Sequence, residues 1–112
     1  MRNLTELDTL ESWLATNGYK YTREDEDDTL PPEMRETCEQ NGVEYKPMDL
    51  HQIVVYKDGV RSWDVICQRG SYGCEEGLLE GMGDLFGTDV EGWLTAADVI
   101  QRLEEAKQCG TK

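Results

Sequence analysis

The stretch His51-Gln52-Ile53-Val54-Val55-Tyr56-Lys57, then Asp58-Gly59, then Val60-Arg61-Ser62-Trp63-Asp64-Val65-Ile66-Cys67 decides how this chain folds. β-Branched residues sit on both sides of an Asp-Gly pair. A two-residue type I′ turn needs positive φ at both central positions, which Gly adopts freely and Asp tolerates. Residues 51–67 therefore read as a β-hairpin. A lone hairpin is marginal in water, so further strands or helices must cover one of its faces.

Upstream, Leu4, Leu7, Leu10 and Leu14 recur at helical spacing beside Trp13, with Gly18 placed to stop the helix. Tyr19-Lys20-Tyr21-Thr22-Arg23 alternates like a strand. Glu24-Asp25-Glu26-Asp27-Asp28 is a run of five acids ahead of Pro31-Pro32, and it reads as an exposed loop, because like charges repel and proline blocks a ladder. Pro32 is suited to open a short helix through Glu39, closed by Asn41-Gly42.

Downstream, Gln68-Arg69-Gly70-Ser71-Tyr72-Gly73 is a glycine-loosened loop. Cys74 to Phe86 reads as a helix, with Leu78, Leu79, Met82, Leu85 and Phe86 on one side. Gly77, Gly81 and Gly83 weaken it, at ~1 kcal/mol each in a helix interior. Residues 87–92 form a connection, and Thr95-Ala96-Ala97-Asp98 opens a last helix as a capping-box variant with Val99, Ile100, Leu103 and Ala106 on its apolar stripe. The expected fold is α+β: one domain over residues 1–112, a small antiparallel sheet made of hairpin 51–67 and strand 19–23, and helices packed on it. The expected order is α-β-(α)-β-β-α-α.

With 24 acids against 11 bases the net charge is −13. Residues 24–44 and 75–105 each carry nine acids against one arginine, whereas residues 45–74 carry four bases against three acids. The hairpin is close to neutral between two anionic flanks. No basic footprint for direct nucleic-acid binding is present, and an anionic membrane would repel such a surface. No apolar run spans a bilayer and no secretory leader is visible, so the chain is expected to be soluble in the cytoplasm. Cys38, Cys67, Cys74 and Cys109 are then expected as metal-free thiols, since no close ligand pair exists and His51 is the only histidine.

The anionic flanks have two readings. One is a solvated surface that keeps the protein dispersed. The other is imitation of a polyanion: an extended run spaces its residues ~3.3 Å apart, near the ~3.4 Å per phosphate of a DNA strand. Reaction chemistry has little support. Asp25-x-Asp27 lacks the glycine of a calcium loop, Gly81-Met82-Gly83 is not a dinucleotide fingerprint, and His51 with Cys67 is a nucleophile pair only if the fold joins them. The loop 68–73 combines a guanidinium, a phenol and backbone amides, and it is either a small site or a tight turn with Arg69 paired to a neighbouring acid.

Trp63 to Gly73, Glu75-Glu76-Gly77-Leu78-Leu79-Glu80, and Gly92-Trp93-Leu94-Thr95-Ala96-Ala97-Asp98-Val99-Ile100 together resemble small acidic proteins carried on prophages and conjugative elements of gut bacteria. The resemblance runs from about Gln52 to Glu104 and brings no residue role with it. It implies a mobile-element accessory protein, and in size and charge the chain is similar to anti-CRISPR and antirestriction inhibitors. The leading expectation is therefore a non-enzymatic inhibitor, without cofactor, whose acids dock on the basic nucleic-acid channel of a host CRISPR effector nuclease. The contact residues would be Glu24, Asp25, Glu26, Asp27, Asp28, Arg69, Tyr72, Glu75, Glu76 and Glu80, with Trp63, Tyr72 or Trp93 as anchors if exposed. The alternatives are a scaffold protein that holds an element-encoded partner through the hairpin, and an enzyme using Cys67 or His51.

Overall fold

A computed structural model of the chain describes residues 3–26, 32–43, 49–68, 70–87 and 89–109. Five antiparallel strands lie side by side in chain order: β1 (Lys20–Glu26), β2 (Leu50–Lys57), β3 (Val60–Ile66), β4 (Leu79–Gly83) and β5 (Glu91–Leu94). Helix α1 (Thr5–Thr16) precedes the sheet, α2 (Pro32–Gln40) lies between β1 and β2, and α3 (Ala96–Cys109) ends the chain. The class is α+β.

The hairpin forms as its turn chemistry requires. Asp58 and Gly59 have φ of 54° and 79°, both positive as a type I′ turn demands. In the register Val55 faces Trp63 and Ile53 faces Val65, with a bulge between Val55 and Tyr56. Ile53, Val55, Trp63 and Val65 thus share one face, and α1 and α3 cover it. Leu7, Leu10 and Leu14 of α1 and Val99 of α3 are fully buried there, each stabilising the fold by ~1.5–3 kcal/mol.

Local signals place both helices. After α1, Gly18 N–H donates to Ala15 O and Tyr19 N–H to Leu14 O, the paired bonds of a Schellman stop with glycine at the left-handed position. Before α3, Thr95 N–H donates to Asp98 Oδ2 (3.0 Å) while Asp98 N–H donates to Thr95 Oγ1 (3.1 Å), a reciprocal capping box. Ala96 N–H donates to Glu6 Oε1 at 2.8 Å, so a carboxylate of α1 helps cap α3.

Three sequence expectations change. Residues 74–86 are not a helix. A single 3-10 turn (Cys74–Glu76) ends at Gly77, and β4 follows. Leu79 is buried, Met82 is half exposed, and Gly81 and Gly83 face Val65 and Trp63. Glycines that would each weaken a helix instead admit a close neighbour, for the Phe86 ring lies over Gly81. Glu91 and Gly92, expected within the connection 87–92, belong with Trp93 and Leu94 to edge strand β5. Finally, Glu24, Asp25 and Glu26 belong to β1. They pair with Gln52, His51 and Leu50, none of them acidic, so extension brings no like charges opposite each other.

Candidate functional site

The register gathers the scattered acids at one end of the sheet. Glu26 faces Leu50, Gln52 faces Ile66, and Ile66 faces Glu80. The C-terminal end of β1, the start of β2, the end of β3 and the start of β4 therefore share that end, and the loop carrying Glu75 and Glu76 leaves from it. Between β1 and β4 lie three strand spacings, ~14 Å. Glu24, Glu26, Glu75 and Glu76 are exposed along this edge, and Glu80 is half-buried.

Two aromatics stand near Glu75, Glu76 and Glu80. Tyr72 is 60% exposed and Trp93 59%. They border a shallow depression of about 270 Å³ whose lining includes Glu75 and Glu76. Packing holds them in place. A Cβ added at Gly92 would lie 2.3 Å from Tyr72 Cβ, and one at Gly73 would lie 3.3 Å from Trp93 Cα. Only glycine lets the 70–76 loop lie this close against β5. Tyr72 N–H donates to Glu80 Oε1 at 3.1 Å, and Trp93 N–H reaches Tyr72 O at 3.4 Å. Trp93 also has a φ of 60°, a left-handed conformation that costs a non-glycine residue ~1–2 kcal/mol.

Of the acids and aromatics singled out in the sequence, Glu24, Glu26, Tyr72, Glu75 and Glu76 are exposed and Glu80 is half-buried. Asp25 is engaged by its neighbours. Its Oδ1 lies 2.7 Å from His51 Nδ1, and its Oδ2 accepts from Arg23 Nε at 2.9 Å. Partial burial disfavours that carboxylate, but the bonds from His51 and Arg23 outweigh burial and hold its pKa below the usual range. Arg23 also reaches Asp8 and Glu11 of α1 at 2.8 Å. Asp25 is therefore tied to Arg23 and His51 while its side chain stays exposed. Asp27, Asp28 and Arg69 lie outside the described residues. Trp63, proposed as an anchor if exposed, is only 4% exposed and packs edge-on to Phe86 at 5.8 Å.

The loop itself is a tight turn. Ser71 Oγ donates to Gln68 O (2.7 Å) and accepts from Gln68 N–H (3.0 Å). With Tyr72 N–H on Glu80 and Cys74 N–H on Ser71 O, these amides are occupied and do not form an anion cradle. His51 and Cys67 are neighbours, since Cys67 N–H donates to His51 O at 2.9 Å. His51 is 2% exposed and Cys67 not at all, so both are buried. Among the described residues no set of three His, Cys, Asp or Glu side chains is arranged to hold a metal ion, and no helix is long and apolar enough to cross a membrane.

Sequence reasoning placed Trp93 only among conditional anchors. Its exposure follows from β5 being an edge strand, which the Gly92-Trp93 pair hinted at and helical spacing around Leu78 to Phe86 concealed. No family model, curated protein or solved structure matches the chain.

Proposed function

We propose that this protein is a non-enzymatic inhibitor that docks on a basic protein surface through the Tyr72–Trp93 pair and its rim of Glu75, Glu76 and Glu80. The observation that carries this reading is the pairing of two largely exposed aromatics with surrounding acids, one aromatic kept in a strained backbone. Interfaces concentrate their binding free energy in such aromatics, and charged rims set partner choice and association rate. Strain at an exposed tryptophan has no value to the core, which is why it supports a role in contact. The partner class is a cationic nucleic-acid-binding surface, foremost the channel of a CRISPR effector nuclease in a bacterial cytoplasm. A hairpin-based scaffold finds less support, because Trp63 is buried and Arg61 is held by Asp64 at 3.1 Å.

The test is DNA cleavage by a panel of purified CRISPR effectors with the chain added at two salt concentrations. Inhibition should appear for at least one effector, weaken as salt rises and be lost in the Tyr72→Ala/Trp93→Ala double variant. Cleavage unaffected across the panel, or inhibition equal in parent and variant, refutes the proposal.

A further inference from the structure

At the hairpin end of the sheet, opposite the acidic end, the structure holds a groove of about 560 Å³. Its walls are the residues that follow α1, the last turns of α3, the β2 and β3 residues near the hairpin turn, and the segment after β4. Tyr19, Val55, Trp63, Leu85 and Leu103 supply an apolar floor. Lys20, Lys57 and Lys107 line the same groove and are exposed. Among the described residues Asp84 is the one acid in its lining, and it accepts a hydrogen bond from Ser62 Oγ at 3.3 Å.

The three lysines stand apart from the other described cations. Arg23, Arg61 and Arg102 each contact a carboxylate: Arg23 bridges Asp8, Glu11 and Asp25, Arg61 meets Asp64, and Arg102 forks onto Glu91. None of Lys20, Lys57 and Lys107 makes an ion pair within 4 Å with a described carboxylate. In a chain with 24 acids and 11 bases, three cations without a described carboxylate partner around one apolar groove run against the composition. Lys107 in the last turn of α3 complements the helix dipole, but Lys20 and Lys57 are on strands and have no such use.

We infer that this groove binds a small amphiphile, an apolar body ending in one anionic group, with the body on the Tyr19–Leu85–Leu103 floor and the anion among the lysines. Charge complementarity selects the anion, and the volume falls within the ~300–1,000 Å³ range of small-molecule sites. This inference is independent of the docking surface at the other end of the sheet.

The experiment is calorimetric titration of the intact chain with decanoate below its micellar concentration, with decanol and decylammonium as matched probes, and amide chemical-shift mapping of the bound state. Decanoate should bind at one site, about tenfold more tightly than decanol, as three exposed charge contacts together allow. The largest shifts should fall on residues 17–20, 55–57 and 103–107. The Lys20→Gln/Lys57→Gln/Lys107→Gln variant should keep its melting temperature, since all three side chains are exposed, and lose that preference. Decylphosphate binding like decanoate would support the shared anionic chemistry. Equal affinity for the three decyl probes, shifts elsewhere, no saturable binding, or an unchanged preference in the variant would each overturn the inference. Displacement of decanoate by an acidic amphipathic peptide at lower concentration would overturn the small-molecule assignment in favour of a macromolecule.

Discussion

Trp93 offers a test in which backbone and side chain separate cleanly. Its φ of 60° costs an L-residue ~1–2 kcal/mol, while glycine adopts that conformation freely. Trp93→Ala and Trp93→Gly remove the same ring and the same partial burial, so those losses cancel when the two variants are compared. What remains is strain relieved by glycine, less the ~0.5–1 kcal/mol of extra chain entropy that glycine loses on folding. The glycine variant should be the more stable by ~0.5–1 kcal/mol, or ~2–6 °C in Tm for a domain of this size. At Val60, which is 68% exposed on β3 and has an ordinary negative φ, the order should reverse, with alanine ahead by ~0.5–1 kcal/mol. Urea and thermal unfolding of the four variants measure both differences. Trp93→Ala equal to or above Trp93→Gly would refute the left-handed assignment, and with it the claim that stability is given up to display this side chain.

Three further outcomes follow from the fold. Gly59→Val should destabilise by ~1–2 kcal/mol or more through backbone strain alone, because φ is 79° and a Cβ there meets nothing within 4 Å; an unchanged Tm would remove the type I′ turn. Gly81→Ala should cost ~1–3 kcal/mol by overpacking, since its Cβ would lie 2.4–2.7 Å from the Phe86 ring, itself set between Trp63 and Arg102; near-UV circular dichroism should report the displaced rings, and a neutral effect would place Phe86 elsewhere. Asp25 and Asp98 both have folded-state pKa values below the usual carboxylate value. Their stabilisation is therefore complete above about pH 4 and is lost as pH falls through the lowered values. Urea midpoints measured from about pH 5 to about pH 2 should fall less steeply in Asp25→Asn than in the parent, and identical slopes would count against the Arg23–Asp25–His51 cluster.

Where the chain could be read locally, the reading held. The Asp58-Gly59 turn, the Leu7–Leu10–Leu14 stripe, the Gly18 stop and the Thr95–Asp98 cap each rest on residues a few positions apart, and all four form. The stretch 74–86 failed because Leu78, Leu79, Met82, Leu85 and Phe86 fit a helical period nearly as well as a strand followed by a turn. Partners distant in sequence settled it: Trp63 and Val65 pair with Gly83 and Gly81. The acid run at residues 24–26 failed for a similar reason. Five like charges in sequence suggest a loop, but β1 alternates Glu24, Asp25 and Glu26 between two faces and sets Gln52, His51 and Leu50 opposite them. Of the candidate site, the acids and Tyr72 were visible as residue types; which of them share a surface depended on β4 and β5 being strands.

Charge in this protein acquires direction only through strand register. β1 begins with Lys20 and ends with Glu24, Asp25 and Glu26, so the strand carries opposite signs at its two ends. Antiparallel pairing sets Lys20 beside Tyr56, next to Lys57, and sets Glu26 beside Leu50. It also returns β3 to the acidic end just before the loop that holds Glu75 and Glu76. A slip of one residue would turn every β1 side chain to the other face. Arg23 would then leave Asp8 and Glu11 of α1 for solvent, and Asp25 would turn away from His51 with it. The Arg23 cluster thus opposes the slip, and burial of that guanidinium is outweighed by its bonds to Asp25, Asp8 and Glu11. The ion pairs that sit beneath β1 are in this sense what keeps Glu24 and Glu26 on the outer face, with Lys20 at the other end of the same strand.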